Sequence, residues 1–304
     1  MYKSLLVPVD GSSCSHQTVG WALAFAKTLD ADVTFLHVIE SPLLNMYTLP
    51  GGALYAADLI PELEKAGTTL LEDVQAQARA LGVRSETLMQ RAEHPAELIL
   101  RHEADYDLTI MGTHSRRGLD RLFLGSVTEG VLRRSQKPQL VLRCPNGDAP
   151  SVVPDVHFDR ILIAVDGSPC SDHALEEGLT LAKVLGAQLT ILSVLEVPLS
   201  VYSMPESRVY EPQLREDYQR AAELALDKAR ARATELGVTA TTELVDEPGA
   251  RAVEAILKRD ETVDLSVMGT HGRRGVNRAL LGSVAEGVIR QSSTPHLVVR
   301  CPAP

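Results

Sequence analysis

Gly269, Gly272, Gly282 and Ser283 fall in the pattern G-x2-G-x9-G-S, directly after an apolar run, Asp264 to Met268, that reads as a strand. Glycines at a strand end let backbone N–H groups come close to a phosphate. Gly282 and Ser283 would present amides and a hydroxyl at the N-terminus of a helix predicted over Val284 to Gln291, where the helix dipole favours an anion. Arg273 and Arg274 either add positive charge beside this cradle or are solvated surface residues. One isolated glycine would mean no more than a cap or a turn. This pattern, however, comes twice: Met111 to Arg133 returns as Met268 to Arg290 with 16 of 23 positions identical. Other chemistry lacks its residues. There is no G-x-x-x-x-G-K-[S/T], no G-x-S-x-G and no H-E-x-x-H, so a P-loop ATPase, a serine hydrolase elbow and a zinc protease helix are excluded. With no placed base or nucleophile, binding is favoured over fast turnover.

The elements that must hold this turn are also duplicated. Leu5 to Ser15 (LLVPVDGSSCS) matches Ile161 to Ser171 (ILIAVDGSPCS) at an offset of 156 residues, against 157 for the later block. Each half opens with an apolar strand (Ser4 to Val9; Arg160 to Val165), turns at Asp-Gly-Ser and enters a helical pattern (Ser15 to Leu29; Ser171 to Leu185). A second strand follows (Asp32 to Ile39; Gln188 to Leu195), then a long helix (about Glu62 to Leu81; about Glu211 to Leu236) and further alternation. Such alternation predicts a parallel sheet covered by helices on both faces. The last strands, Pro138 to Arg143 and Pro295 to Arg300, open on proline as edge strands do, and their apolar edges would let the two halves pair as a pseudo-dimer within one chain. Residues 146–157, rich in Pro, Gly and Asp, read as a linker between domains at 1–145 and 158–304.

Composition narrows the class. A chain of 304 residues with 44% hydrophobic and 23% charged residues suits two globular domains. No apolar run approaches the ~20 residues of a membrane span, and the first strand meets Asp10 too early for a secretory signal, so the expectation is a cytoplasmic protein without a membrane role. A formal charge of −10 argues against a nucleic-acid partner. The cysteines fall in duplicated pairs, Cys14 with Cys170 and Cys144 with Cys301, and form no C-x-x-C. Metal or redox chemistry would want close spacing or a histidine partner, so they are expected to be reduced, partly buried small apolar residues.

VDGS near each N-terminus, a His-Val or Ser-Val strand end and MGTH-[S/G]-RRG-x8-GSV resemble the universal stress protein family in its tandem form, over essentially the whole chain. The resemblance implies two tandem flavodoxin-like, Rossmann-like α/β domains, each a five-stranded parallel sheet sandwiched by helices, and, in members that retain the glycine motif, binding of ATP; a divalent Mg or Mn ion at such a cradle would be held mainly by phosphate oxygens. It implies a site made in the first half by Pro8, Asp10, Val38, Met111, Gly112, His114, Ser115, Arg116, Gly125, Ser126 and Val127. The second half would use Ala164, Asp166, Val194, Met268, Gly269, His271, Gly272, Arg273, Gly282, Ser283 and Val284. Asp10 and Asp166 would sit near the ribose, Val38 and Val194 would offer backbone groups to the adenine edge, and the methionines would pack near base or sugar unless they are plain core. Ser115 stands where the family has glycine; a serine would be strained if that position needs positive φ, and its side chain could crowd the phosphate, so the second half should bind nucleotide more tightly. Tyr47, Pro50 and Tyr55 match Tyr202, Pro205 and Tyr210 in loops that form a lid or pack back onto the helices. Three functions stay open: an ATP-binding stress-response regulator, a slow ATPase or phosphotransferase, and an interaction module without nucleotide. Association of chains into a homo-oligomer is compatible with all of them.

Overall fold

The computed structural model describes residues 1–40, 52–113, 124–144, 156–196, 211–246, 251–272 and 281–301. His114, Ser115, Arg116, Arg273, Arg274, Tyr47, Pro50, Tyr202, Pro205 and Tyr210 lie outside the described residues, as does the side chain of Tyr55. The chain divides into two compact units, Met1–Val156 and His157–Pro304.

In the first unit the elements run β1 (Ser4–Val9), α1 (Ser13–Leu29), β2 (Asp32–Glu40), α2 (Gly52–Ala80), β3 (Ser85–Ala92), α3 (Pro95–His102), β4 (Leu108–Gly112), α4 (Ser126–Arg134) and β5 (Gln139–Leu142). All pairings are parallel and the strand order is β3-β2-β1-β4-β5. The continuous apolar runs of β1, β4 and β5 are buried because helices cover the sheet, and Leu5, Phe25, Phe35, Leu108 and Ile110 are fully buried. Each such side chain contributes about 1.5–3 kcal/mol relative to exposure.

The second unit repeats this with β6 (Arg160–Ala164), α5 (Pro169–Leu185), β7 (Gln188–Val194), α6 (Glu211–Leu236), β8 (Ala240–Val245), α7 (Ala252–Asp260), β9 (Leu265–Gly269), α8 (Ser283–Gln291) and β10 (His296–Val299). Its order, β8-β7-β6-β9-β10, is the counterpart of the first. The helices begin where the sequence supplies caps: the Ser12 hydroxyl accepts from Ser15 N–H at 3.1 Å, and that of Ser168 from Ser171 N–H at 3.2 Å. One element differs from expectation. α2 starts at Gly52 rather than near Glu62 and carries Pro61 inside it; a proline reads as a helix start because its missing N–H is harmless only there.

The cysteines also correct the expectation of free thiols. Cys14 is bonded to Cys144 and Cys170 to Cys301, at Cα separations of 5.3 and 4.4 Å. The paired residues are 130 and 131 positions apart, one in the first turn of a helix and the other just after the last strand of its unit. Parallel strands place both at the carboxyl end of the sheet, which spacing along the chain does not reveal.

Candidate functional site

The order β3-β2-β1-β4-β5 puts a topological switch between β1 and β4, since the chain leaves these strands toward opposite sides of the sheet. In open parallel sheets the crevice outside the carboxyl ends at such a point is where ligands bind. At the end of β1, the Asp10 Oδ1 accepts from the Ser12 N–H at 2.9 Å and from its hydroxyl at 2.6 Å, across Gly11 at φ +74°. Asp166 accepts from the Ser168 N–H at 2.9 Å, across Gly167 at φ +75°. The Asp-Gly-Ser turn therefore fixes the carboxylate and starts the helix in one stroke.

A cleft of about 380 Å³ opens there in the first unit, within the size range of small-ligand sites. Its walls include Pro8 from β1 and Asp10 just after it, Val38 from β2, Met111 and Gly112 from β4, and Gly125, Ser126 and Val127 from the start of α4. Every described residue of the first-half set is thus brought together. Met111 lines the cleft and is also a core residue, packed with Leu6, Leu36 and Ile99. Val38 lies one residue beyond the β1–β2 register, which ends at Val9 opposite His37; β1 offers it no ladder partner.

The helix start shows why glycine is needed. Gly125 and Gly282 are the N-caps of α4 and α8, and neither helix has a side-chain cap on its first amides. The N–H of Gly125 donates to the Thr113 carbonyl at 2.5 Å and that of Gly282 to Thr270 at 2.7 Å. A Cβ at Gly282 would lie 2.6 Å from the Thr270 oxygen. The capping glycine thus closes its loop with its own amide, and the groups left for an anion are the amides of the first helical turn and the Ser126 or Ser283 hydroxyl.

In the second unit Asp166 and Gly272 meet: a Cβ at Gly272 would fall 2.6 Å from Asp166 Oδ2. Gly272 is absent from the positive-φ residues, so the constraint at this position is space rather than a left-handed backbone, contrary to the condition attached to Ser115. Gly269 lies against Cys170, and Gly112 against the sulfur of Cys14, where a Cβ would come to 2.4 Å. Met268 is buried at the end of β9, and His271 Nδ1 sits 3.0 Å from the Thr270 hydroxyl. Ala164 ends β6 opposite Leu192, two residues short of Val194. Ser283 and Val284 form the first turn of α8.

Sequence reasoning missed several walls of the first cleft. His37 lines it, with Nδ1–H donating to the Val9 carbonyl at 2.8 Å and its ring against Gly67 of α2, where a Cβ would come within 2.6 Å. Leu63 of α2 and Pro95 and Ile99 of α3 complete the wall. A histidine before the strand end was the only local signal; the helix residues had none. Among the described lining residues Asp10 and Glu40 are acidic and none is Lys or Arg.

Two copies of a five-stranded parallel sheet with helices on its faces, the first with a crevice at its switch point, define a flavodoxin-like α/β protein. The profile of the universal stress protein family matches residues 1–143 and again 157–300. A universal stress protein of Mycobacterium tuberculosis is 25% identical over 307 residues, covering 97% of this chain and 96% of its own. One from Methanocaldococcus jannaschii is 34% identical over 148 residues, 48% of this chain and 84% of its own. The crystal structure of a universal stress protein from Archaeoglobus fulgidus superposes with a TM-score of 0.69 at 24% identity, covering 98% of this chain and 96% of that one. The chain belongs to the universal stress protein family, with two domains in tandem.

Proposed function

We propose that the cleft binds an adenine nucleotide, ATP first among them, and that the chain is a nucleotide-binding regulator of the stress response. The observation that carries this reading is the cleft itself, which runs from the end of β2, over Asp10, to the uncapped first turn of α4. Pro8 and Met111 would hold the base, and the backbone of Val38, which β1 leaves uncovered, would meet its edge. The ribose hydroxyls donate to Asp10 Oδ2, since Oδ1 is committed to Ser12. The phosphates lie on the amides of Ser126 and Val127. The corresponding groups of the second unit are Asp166, Val194, Met268, Gly272, Ser283 and Val284.

Because the described lining is acidic, phosphate charge would be met by the helix amides and by a divalent ion. Among the described residues no trio of carboxylates converges at the cleft, so Mg or Mn would be held mainly by phosphate oxygens. Such an ion would polarise the terminal phosphate. The protein's own part is to bind and orient, and nucleotide occupancy is what a partner would read.

The test is to denature freshly purified protein, identify and count the released nucleotide by chromatography with mass detection, and then titrate the emptied chain with ATP, ADP and GTP by calorimetry. About one or two adenine nucleotides per chain and a preference for ATP over GTP are expected. An emptied chain that takes up no adenine nucleotide overturns the proposal in favour of an interaction module. Bound ADP together with turnover that disappears in Gly272→Ser would move the reading to a slow ATPase.

A further inference from the structure

In the second unit Cys170 opens α5, Cys301 follows β10 and His271 follows β9. One ligand atom from each lies within 4.8 Å of the other two. The group sits just beyond the ends of two paired strands: Thr270 N–H donates to the Val299 carbonyl at 2.9 Å, which fixes the ends of β9 and β10 beside each other. The Thr270 hydroxyl lies 3.0 Å from His271 Nδ1 and 3.9 Å from Cys170 Sγ, anchoring the imidazole ring next to the sulfurs. Cys170 is buried while His271 and Cys301 are half-buried.

We propose that reduction of Cys170–Cys301 creates, with His271, a two-sulfur, one-nitrogen site for a thiophilic divalent cation such as Zn2+. In the disulfide form the sulfurs carry no thiolate charge and cannot serve as ligands. Two low-molecular-weight thiols supply the electrons: the S–S bond breaks, each sulfur takes one proton, and the two donors leave joined as their own disulfide. The cation then displaces the two thiol protons, forming two metal–sulfur bonds and one metal–nitrogen bond. Around a tetrahedral zinc, with bonds of about 2.3 Å to sulfur and about 2.0 Å to nitrogen, ligand atoms stand roughly 3.5–3.8 Å apart. On reduction the two sulfurs, bonded to each other in the disulfide, separate to that spacing by side-chain rotation, and the imidazole nitrogen already lies within 4.8 Å of both. Two thiolates neutralise a divalent charge, and soft sulfur with imidazole selects zinc-like ions over magnesium. Three protein ligands leave a fourth position open.

The site lies at the base of the glycine turn, since a Cβ at Gly269 would come within 3.0 Å of the Cys170 backbone. It requires no nucleotide, so its test is independent of the function proposed above. Titrating Co2+ under anaerobic conditions into the full chain, reduced by a phosphine and freed of reductant, reads thiolate-to-metal charge transfer directly. The first unit holds its own cysteine pair, so the titration is made in Cys14→Ser/Cys144→Ser as well as in the unaltered chain. In the double variant we expect about one Co2+ per chain with tetrahedral d–d bands, displaced by Zn2+ and absent when the disulfide is restored. His271→Ala should weaken this binding tenfold or more at an unchanged count of free thiols. Absence of a cobalt–thiolate band in the reduced double variant overturns the proposal, as does a titration indifferent to His271→Ala. If the double variant does not fold, the comparison of His271→Ala with the unaltered reduced chain decides: loss of about one Co2+ per chain supports the site, and equal uptake rejects it.

Discussion

Gly272 is limited by the carboxylate facing it. A methyl group there would lie 2.6 Å from Asp166 Oδ2, and Asp166 is tethered through its other oxygen to Ser168. Gly272→Ser should therefore push Asp166 away from a nucleotide ribose and weaken binding by the second unit about tenfold, roughly 1.4 kcal/mol. Calorimetric titration of the full chain should show one of its binding phases weaken, and an unchanged isotherm would contradict this. A second residue-level contrast lies at the start of the last strands. In the first unit Gln139 Nε2 donates to Ser135 Oγ at 2.7 Å and to Glu103 Oε2 at 3.3 Å. In the second unit the same positions hold His296, Ser292 and Asp260. His296 Nε2 is 3.7 Å from Asp260 Oδ2, and neither ring nitrogen makes a hydrogen bond. Burial pushes the His296 pKa from 6.5 down to about 3. The unfolded chain thus takes up this proton first, and the stability His296 contributes is present above pH 6.5 and lost as pH falls toward 3. Burial raises the Asp260 pKa above 3.8, so there the folded chain protonates first and stability is regained as pH falls. His296→Gln copies the first unit and removes the histidine's contribution. Its melting temperature should rise relative to the unaltered protein between about pH 7 and pH 4, whereas parallel curves would rule this account out.

Helix starts were readable to within two residues where a serine caps them, as at α1 and α5, because the cap acts over three positions of the chain. The start of α2 was not, since Pro61 mimics a first turn and packing overrides that local cue. The glycine caps of α4 and α8 were legible as glycines but not in their reason. Gly282 is small because the Thr270 carbonyl crowds it, and a backbone oxygen cannot swing aside. Gly282→Ala should cost about 1–3 kcal/mol by overpacking and also reduce nucleotide affinity, by displacing the first turn of α8. Gly186→Ala makes the comparison: at φ +69° with nothing within 4 Å, it should cost about 1–2 kcal/mol and leave affinity alone. Thermal unfolding and nucleotide titration of the two variants separate these effects, and equal losses of affinity would refute the distinction.

On the scale of the whole molecule, each disulfide closes nearly an entire unit, spanning 130 and 131 residues. Loops of that length give up to ~5 kcal/mol by restricting the unfolded chain. Reduction should lower the unfolding midpoints, read by calorimetry with and without a phosphine, and the fragments 1–156 and 157–304 should each show the same sensitivity; a midpoint unmoved by reduction would show that the bonds add nothing. The amino-acid sequence by itself determined the duplication, the type and order of the elements, and the glycine-rich turn with its helix. All of these are written in contiguous stretches, in apolar period, caps and glycine spacing. Only the tertiary structure decided the pairing of Cys14 with Cys144 and of Cys170 with Cys301, the arrival of His271 beside the second pair, the place of His37 and Ile99 in the cleft wall, and the neighbours that keep Gly272 and Gly282 small. Those contacts join residues brought together by the register of parallel strands, many across more than a hundred positions, and no local pattern encodes a register that depends on how distant side chains pack.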